Sequence, residues 1–246
     1  MPQHPSDQPH APGSNQGLAS RNGREVLQAS KGEVTVEELF GSVQTRSVGR
    51  FGKPGDPWNL LWIGSEEAVV RTLETGGWHR IPRSIPAAIA LGIADLLSGK
   101  RLTRFPPMNL YRVEDRIQDH NWAIPVRAIH ERHHFRLWRL NASNPSGRPF
   151  WWGSGNYDLD SRLRDLSHRP DPDIDKERDF IGATIERGHG VESTELRPCR
   201  RIPREGRNDK GYPFYCDGRV LVVTLKASEE TDEAGPRTVP KGRRKA

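Results

Sequence analysis

The sequence predicts one α+β domain, with a mainly antiparallel or mixed sheet and about three helices, between two disordered tails. Apolar, strand-like runs occur without the regular strand and helix alternation of a parallel α/β fold. The length of 246 residues suits one large domain. Residues 1–30 and 227–246 are polar and lack hydrophobic periodicity, as solvated tails do. The folded domain is therefore predicted over residues 34–226.

The first half of this domain is predicted to contain a strand, two helices and a second strand. Residues 58–63 form a short apolar run, typical of a buried strand. Ser65 is placed to cap a helix that ends at Gly76, where glycine favours a helix C-terminus. A second helix is expected over residues 87–97, and a strand over residues 108–113.

The second half is predicted to contain a β-hairpin, a helix and a closing strand. Residues 132–140 and 148–158 are aromatic, β-prone runs separated by the turn sequence NASNPSG. Asp171 is expected to cap a helix that opens at Pro172 and ends at Gly188. Residues 218–225 are the most apolar strand candidate and, being apolar on both faces, should lie inside the sheet.

Composition excludes several classes of protein. The longest apolar stretch, Ile85–Leu97, contains Asp95 and falls short of the roughly 20 residues that cross a bilayer. The N-terminus has neither the basic cluster nor the apolar core of a signal peptide. Cys199 and Cys216 are expected to be free thiols. We therefore expect a cytoplasmic protein without a transmembrane segment.

Positive charge is concentrated near the end of the predicted domain. Lysine and arginine outnumber the acids 38 to 32. A loop that could approach phosphates and a solvated surface loop both explain this segment. No nucleic-acid recognition motif, P-loop, dinucleotide fingerprint or nucleophile elbow accompanies it, so nucleic acid is not a predicted partner. The basic residues are Arg197, Arg200, Arg201, Arg204, Arg207 and Lys210.

The first candidate site lies on the predicted hairpin. It contains His133, His134 and Arg136. Because alternate residues of a strand point to the same face of a sheet, His134 and Arg136 should share a face. Asp158 of the neighbouring strand can join them. An imidazole, a guanidinium and a carboxylate suit phosphate binding or acid-base catalysis. A solvated polar sheet face is the alternative interpretation.

The second candidate site is the acidic segment HRPDPDID. It offers oxygen ligands for a divalent metal, so a divalent metal is a possible cofactor. A calcium loop fails, because Lys176 and Gly182 stand where glycine and glutamate are required. Capping of a helix N-terminus explains the acids equally well. The candidate metal ligands are His168, Asp171, Asp173 and Asp175.

A family resemblance covers about residues 55–225. In order, the chain contains GDPWNLLWIGSEEAVV, RFPPMNLYRVEDRIQDHNWAIP, RHHFRLWRL, PFWWGSGNYD, PDIDKERDF and CDGRVLVV. This succession resembles the LssY C-terminal domain family of bacteria. Members are most alike around three places, which in this chain are HH-x-R, Asp158 and PDID-x-ERD. The resemblance therefore adds Arg178 to Arg136 as a candidate ligand-binding residue.

The resemblance also implies a setting, although it implies no activity. Some relatives carry membrane portions similar to DedA proteins or to type-2 phosphatidic acid phosphatases, which suggests lipid phosphate nearby and a location peripheral to the inner membrane. The leading hypothesis is a His/Arg/Asp pocket that binds a phosphorylated or anionic molecule or lipid headgroup. If this pocket is catalytic, the expected reaction is phosphoester hydrolysis. The alternative is a non-catalytic interaction module that partners an envelope membrane protein.

Overall fold

The structure, a computed structural model, describes residues 32–98, 108–127, 131–162, 167–187 and 190–227. Its helices are α1 (Val36–Ser42), α2 (Glu66–Thr75), α3 (Ile85–Leu97) and α4 (Ile174–Ile185). Its strands are β1 (Gly32–Glu33), β2 (Arg46–Val48), β3 (Pro54–Pro57), β4 (Leu60–Ile63), β5 (His79–Arg80), β6 (Arg112–Val113), β7 (Arg116–Ile117), β8 (His120–Arg127), β9 (Glu131–Ser143), β10 (Pro149–Arg162), β11 (Ser167–Pro170), β12 (Val191–Pro198), β13 (Glu205–Arg207), β14 (Pro213–Tyr215) and β15 (Arg219–Leu225).

A nine-stranded mixed sheet forms the centre of the molecule. Its order is β12-β15-β4-β10-β9-β8-β5, with β1 beside β9 and β11 beside β10. Pairs β15/β4 and β1/β9 are parallel and the others antiparallel, which confirms the α+β prediction. β15 lies between two strands, as its apolar sequence predicts. A four-stranded sheet, β3-β2-β6-β7, and the hairpin β13-β14 complete the described strands.

Alternating side chains of the central strands build two apolar layers. Helices α2 and α4 cover one face, where Leu73 and Ile181 pack with Leu60 and Trp62. Helix α1 lies against the other face, where Leu39 packs with Trp152. No helix in the described ranges is long and apolar enough to cross a membrane.

Most predicted elements are present, with shifts at their ends. The Ser65 hydroxyl accepts a hydrogen bond from Ala68 N at 3.2 Å, as a cap for α2 should. The 108–113 prediction is wrong in extent, because only Arg112–Val113 pair as a strand. Gly188, the predicted end of α4, lies outside the described residues, as do the predicted tails except for residue 227.

The cap of α4 is a correction. The N-cap residue is Asp173, not Asp171, and the helix begins at Ile174. The Asp171 carboxylate instead accepts a hydrogen bond from Asp173 N at 2.9 Å. This local turn satisfies a backbone donor before the helix starts. Proline at position 172 therefore precedes the helix instead of opening it.

Close packing of α4 on the sheet explains part of the sequence GSGNYD. A Cβ at Gly155 would lie 2.7 Å from Ile181 Cδ1 and 3.4 Å from Glu177 Cγ. Glycine therefore lets the helix approach β10 directly over the strands that carry the polar residues of the predicted hairpin site.

Candidate functional site

Strands β9 and β10 change from apolar to polar along one face of the sheet. The apolar half packs against α1, and the polar half forms a buried patch of six side chains, each at most 7% exposed. Burial of so many polar groups requires partners or a ligand. The register places Arg132 opposite Asp158, His134 opposite Asn156 and Arg136 opposite Ser154.

Four other segments close a small cavity over this patch. Asp56 comes from β3, residues 109–111 come from the chain before β6, Pro170 ends β11, and residues 208–212 come from the turn between β13 and β14. The space in which the centre of a water-sized molecule can lie measures about 30 Å³. That is room for roughly two waters or one small polar group. The lining residues are Asp56, Asn109, Tyr111, Arg132, His134, Arg136, Asn156, Asp158, Pro170, Asn208, Lys210 and Tyr212.

Asp158 links two basic side chains at one end of the cavity. Arg132 Nε donates to its Oδ2 at 3.1 Å, and His134 Nδ1 lies 3.4 Å from the same oxygen. Burial lowers the pKa of Arg132, while the charge of Asp158 and its hydrogen bond oppose that shift. A carboxylate beside an imidazole can fix the orientation and tautomer of the ring, which is the arrangement that proton transfer needs.

Arg136 is held differently. Its Nε donates to the carbonyl of Asn109 at 3.3 Å, and its guanidinium lies 4.7 Å from the centre of the Tyr111 ring. Within the described residues, no carboxylate lies within 4.0 Å of its nitrogens. The Tyr111 hydroxyl donates to Asp209 Oδ1 at 2.9 Å, and burial raises the pKa of Tyr111, so the phenol stays neutral. The guanidinium of Arg136 is therefore buried without an ion-pair partner among the described residues.

The turn over the cavity adds a third cation, Lys210. Asn208 Nδ2 donates to Asp56 Oδ1 at 3.0 Å, and burial raises the pKa of Asp56 above its ordinary value. Desolvation lowers the pKa of Lys210, and the charge of Arg136 adds to that effect. With Arg132, Arg136 and Asp158, the lining carries three cationic side chains against two carboxylates, and Asp209 beside the lining adds a further negative charge near Lys210.

Asn156 contributes a further buried polar group to the cavity. Its side chain lines the cavity and is 3% exposed, and its Oδ1 has no hydrogen-bond partner among the described residues. Because a buried amide without a partner costs free energy, a bound group that donates or accepts a hydrogen bond would stabilise it.

The structure does not bring His133 into the cavity. As the neighbour of His134 on a strand, it points to the opposite face. There its Nδ1 lies 2.6 Å from Glu177 Oε2, and its ring stacks on Phe180 with 3.5 Å between centroids. Burial lowers the pKa of His133 to about 4 and, with the charge of Asp158, raises the pKa of Glu177 well above its ordinary value. Both shifts favour the uncharged forms of these groups, which meet between α4 and β9.

Arg178 also lies away from the cavity. It is 1% exposed and pairs with Asp175 at 2.9 Å, Asp179 at 2.8 Å and Asp217 at 2.7 Å. Its NH1 also donates to the carbonyl of Arg219 at 3.2 Å. This network ties α4 to the start of β15. These contacts support a structural role for Arg178, since its Nε and Nη1 already donate to three carboxylates and a carbonyl.

The acidic segment is engaged in local contacts. Lys176 Nζ lies 3.3 Å from Asp171 Oδ2 and 3.8 Å from Asp173 Oδ2, and Asp217 N donates to Asp175 Oδ2 at 2.7 Å. Within the described side chains, no three His, Cys, Asp or Glu residues are placed to hold a metal ion. The side chain of His168 lies outside that set. Pro170 is the residue of this segment that lines the cavity.

Of the twelve lining residues, the hairpin site predicted from the sequence contained three: His134, Arg136 and Asp158. Arg132 and Asn156 could have been predicted from the strand period. Arg132 lies two residues before His134 on β9, and Asn156 lies two residues before Asp158 on β10, so each shares the face of its neighbour. Lys210 belongs to the basic segment, but its charge alone does not distinguish it from the neighbouring arginines. Asp56 and Tyr111 carry no local signal, since only the fold brings them to the hairpin.

Comparison with known proteins places the chain in a family. The model of the family described as LssY C-terminus matches residues 40–220, which is most of the chain and nearly all of the central sheet. No curated protein and no solved structure matches the chain. The matched span includes all the residues that line the cavity. The chain belongs to the LssY C-terminus family.

Proposed function

We propose that this protein binds a phosphorylated ligand through the cavity on β9 and β10, with Arg136 as its main anion-binding residue. The observation that carries the proposal is the buried guanidinium of Arg136, which has no carboxylate within ion-pair distance among the described residues. Two terminal nitrogens of a guanidinium match two oxygens of a phosphate. Lys210 and the amide of Asn156 complete the set of groups that face the anion.

The size of the cavity limits how the ligand enters. A space of about 30 Å³ for water-sized centres admits one small anionic group but not a nucleotide or an acyl chain. We infer that the terminal phosphate of a monoester enters and that the remainder stays outside. A lipid phosphate, suggested by the family resemblance, and a small water-soluble monoester both meet this requirement.

His134 gives the site a means of transferring protons. Its Nδ1 faces Asp158 Oδ2 at 3.4 Å, and Asp158 is itself held by Arg132 at 3.1 Å. A positioned imidazole next to a bound phosphate could protonate a leaving oxygen or activate a water. Phosphoester hydrolysis is therefore the reaction that we propose for this arrangement.

Calorimetry with inorganic phosphate, phenyl phosphate and short-chain phosphatidic acid tests the binding proposal. Arg136→Met should weaken binding at least about tenfold, because a charge-assisted bidentate contact is lost. The matched control is Arg139→Met, an exposed arginine on the opposite face of β9. Since Arg136 lacks a carboxylate partner, its replacement by methionine should leave the melting temperature unchanged or raise it.

Turnover of the same esters, followed by phosphate release, tests the catalytic step. His134→Gln should retain ligand binding within a few-fold and lose turnover, since glutamine can hydrogen-bond but cannot carry the proton. Wild-type protein that binds none of the three probes, or Arg136→Met protein that binds them equally well, would refute the binding proposal. Binding without turnover would refute only the catalytic part.

A further inference from the structure

The cavity on β9 and β10 is closed over its floor. The six polar side chains of its two strands are each at most 7% exposed, so solvent hardly reaches them. An anion larger than water therefore gets to Arg136 only when part of the wall moves. Strands β3, β9, β10 and β11 are fixed by sheet hydrogen bonds, whereas the β13-β14 turn, residues 208–212, belongs to a separate two-stranded sheet.

The β13-β14 turn is a self-contained unit. Asn208 N donates to the carbonyl of Tyr212, and Gly211 N donates to the carbonyl of Asn208, each at 2.9 Å. Asn208 Oδ1 accepts from Lys210 N at 3.1 Å and from Tyr212 N at 3.0 Å. Gly211 has a φ of +84°, which glycine adopts without strain. Because these bonds lie within the turn, it can move as one body without breaking them.

Few contacts hold the tip of this turn to the rest of the domain. Among the described residues, two side-chain hydrogen bonds do so, from Asn208 Nδ2 to Asp56 Oδ1 at 3.0 Å and from Tyr111 Oη to Asp209 Oδ1 at 2.9 Å. Asp209 also lies against Gly49, where an added Cβ would stand 2.8 Å from the Asp209 Cβ and closer still to its carboxylate. Glycine at position 49 therefore lets Asp209 reach Tyr111.

The base of the hairpin is anchored separately. Arg46 Nη2 donates to the carbonyl of Arg207 at 2.7 Å, and the Arg46 guanidinium lies 5.0 Å from the centre of the Phe214 ring. Tyr215 N donates to the carbonyl of Pro172 at 2.8 Å. The two strands thus stay attached when the tip separates. An anchored base with a lightly held tip is the arrangement of a lid that opens and closes over a site.

We propose that the β13-β14 turn is a lid, which opens to admit the ligand and returns Lys210 to the lining when it closes, with the Tyr111–Asp209 hydrogen bond as its latch. Lys210 is the cation of the lining that this turn carries, so the third positive charge of the site is in place only when the lid is shut. Asp209 is then a positioning residue, because it seats the turn. Admission of a phosphorylated ligand rests on the proposed function, whereas the opening of the lid does not.

A cysteine inside the cavity measures opening without any ligand. Asn156→Cys places a thiol on the floor, in a background where both native cysteines are replaced by alanine. The rate of modification by methyl methanethiosulfonate, followed by intact mass, then reports how often the lid opens. Tyr111→Phe should increase this rate about fivefold, the effect of losing one ordinary hydrogen bond. Gly49→Ala should act at least as strongly, because its Cβ displaces Asp209.

The matched control is Tyr215→Phe, which removes a hydroxyl from a 50% exposed tyrosine of β14 and should leave the rate unchanged. Since Tyr111→Phe and Gly49→Ala break the same latch, the double variant should label about as fast as the faster single variant. Circular dichroism and melting temperature establish that each variant is folded. The two changes lie on different segments, so if one variant does not fold, the other still tests the latch.

Three outcomes would overturn the lid. The first is an unchanged labelling rate in the single variants, and the second is a double variant whose effect is the product of the two. The third is labelling that rises with urea as steeply as global unfolding does, which would show that the whole domain opens instead of the turn. Because no ligand is used, a failure of phosphate binding would refute the proposed function and leave this result standing.

Discussion

The substitution Val222→Asp tests how β15 is placed in the core. Val222 is 2% exposed, pairs with Glu195 of β12 and Leu61 of β4, and belongs to the apolar layer that contains Trp152. Loss of its buried side chain removes about 1.5–3 kcal/mol of stability. A carboxyl group at this position must also keep its proton. Holding it neutral at pH 7 against an unfolded pKa of about 3.9 costs about 4 kcal/mol, at about 1.4 kcal/mol per pH unit.

The lost apolar burial and the cost of protonating the carboxyl group add to roughly 6 kcal/mol. Many domains have a free energy of unfolding of only about 5–15 kcal/mol. Urea unfolding followed by tryptophan fluorescence measures it, because all seven tryptophans are buried and will report exposure of the core. Val222→Ala isolates the loss of apolar contact. Thr224→Asp places a carboxylate on the same face of β15 at a half-buried position and should cost much less.

The sign of the pH dependence separates this explanation from a packing defect. If burial raises the pKa of the introduced aspartate in the folded state, Val222→Asp loses no stability to ionisation below about pH 4 and loses more as the pH rises. The gap between Val222→Asp and Val222→Ala should therefore be about 2–3 kcal/mol smaller at pH 5 than at pH 7. A gap that does not change with pH, or a Val222→Asp protein with wild-type stability, would refute the buried placement of this residue.

Two further predictions concern the contact between His133 and Glu177 and the extent of the domain. Because burial raises the pKa of Glu177, stability from this group is lost as the pH rises through the folded-state pKa, and Glu177→Gln should gain melting temperature over wild type from pH 5 to pH 8. A difference that shrinks over that range would contradict a raised pKa. A fragment of residues 32–227 should keep the full-length melting temperature within about 2 °C, because the removed ends lack hydrophobic periodicity. A fragment that begins at Val34 should be less stable, since it loses the pairing of β1 with β9.

Local patterns in the sequence identified the elements whose physics is local. The Ser65 cap, the hairpin and the closing strand each depend on residues a few positions apart, and all three are present. Helix α1 was missed although it carries a complete capping box, in which Thr35 Oγ1 accepts from Glu38 N at 3.2 Å and Glu38 Oε2 accepts from Thr35 N at 2.7 Å. That signal was available and could have been used.

Only part of the candidate site could be predicted from local patterns in the sequence. The period of a strand predicted that His134 and Arg136 share a face, and the hairpin brought Asp158 beside them. The same period separates His133 from this set, because neighbouring strand residues point to opposite faces.

Other features of the site depend on long-range contacts. Asp56, Tyr111 and Lys210 reach the cavity from segments far apart in the chain, and only the packing of the small sheet and the β13-β14 turn against β9 and β10 brings them together. The exposure of α3 has the same origin. Its apolar sequence predicts a helix, but which of its faces is buried depends on the neighbours against which the rest of the fold places it. Residue spacing therefore determined which side chains share an element, while tertiary packing decided which of them meet, because contacts between distant segments leave no periodic trace in the sequence.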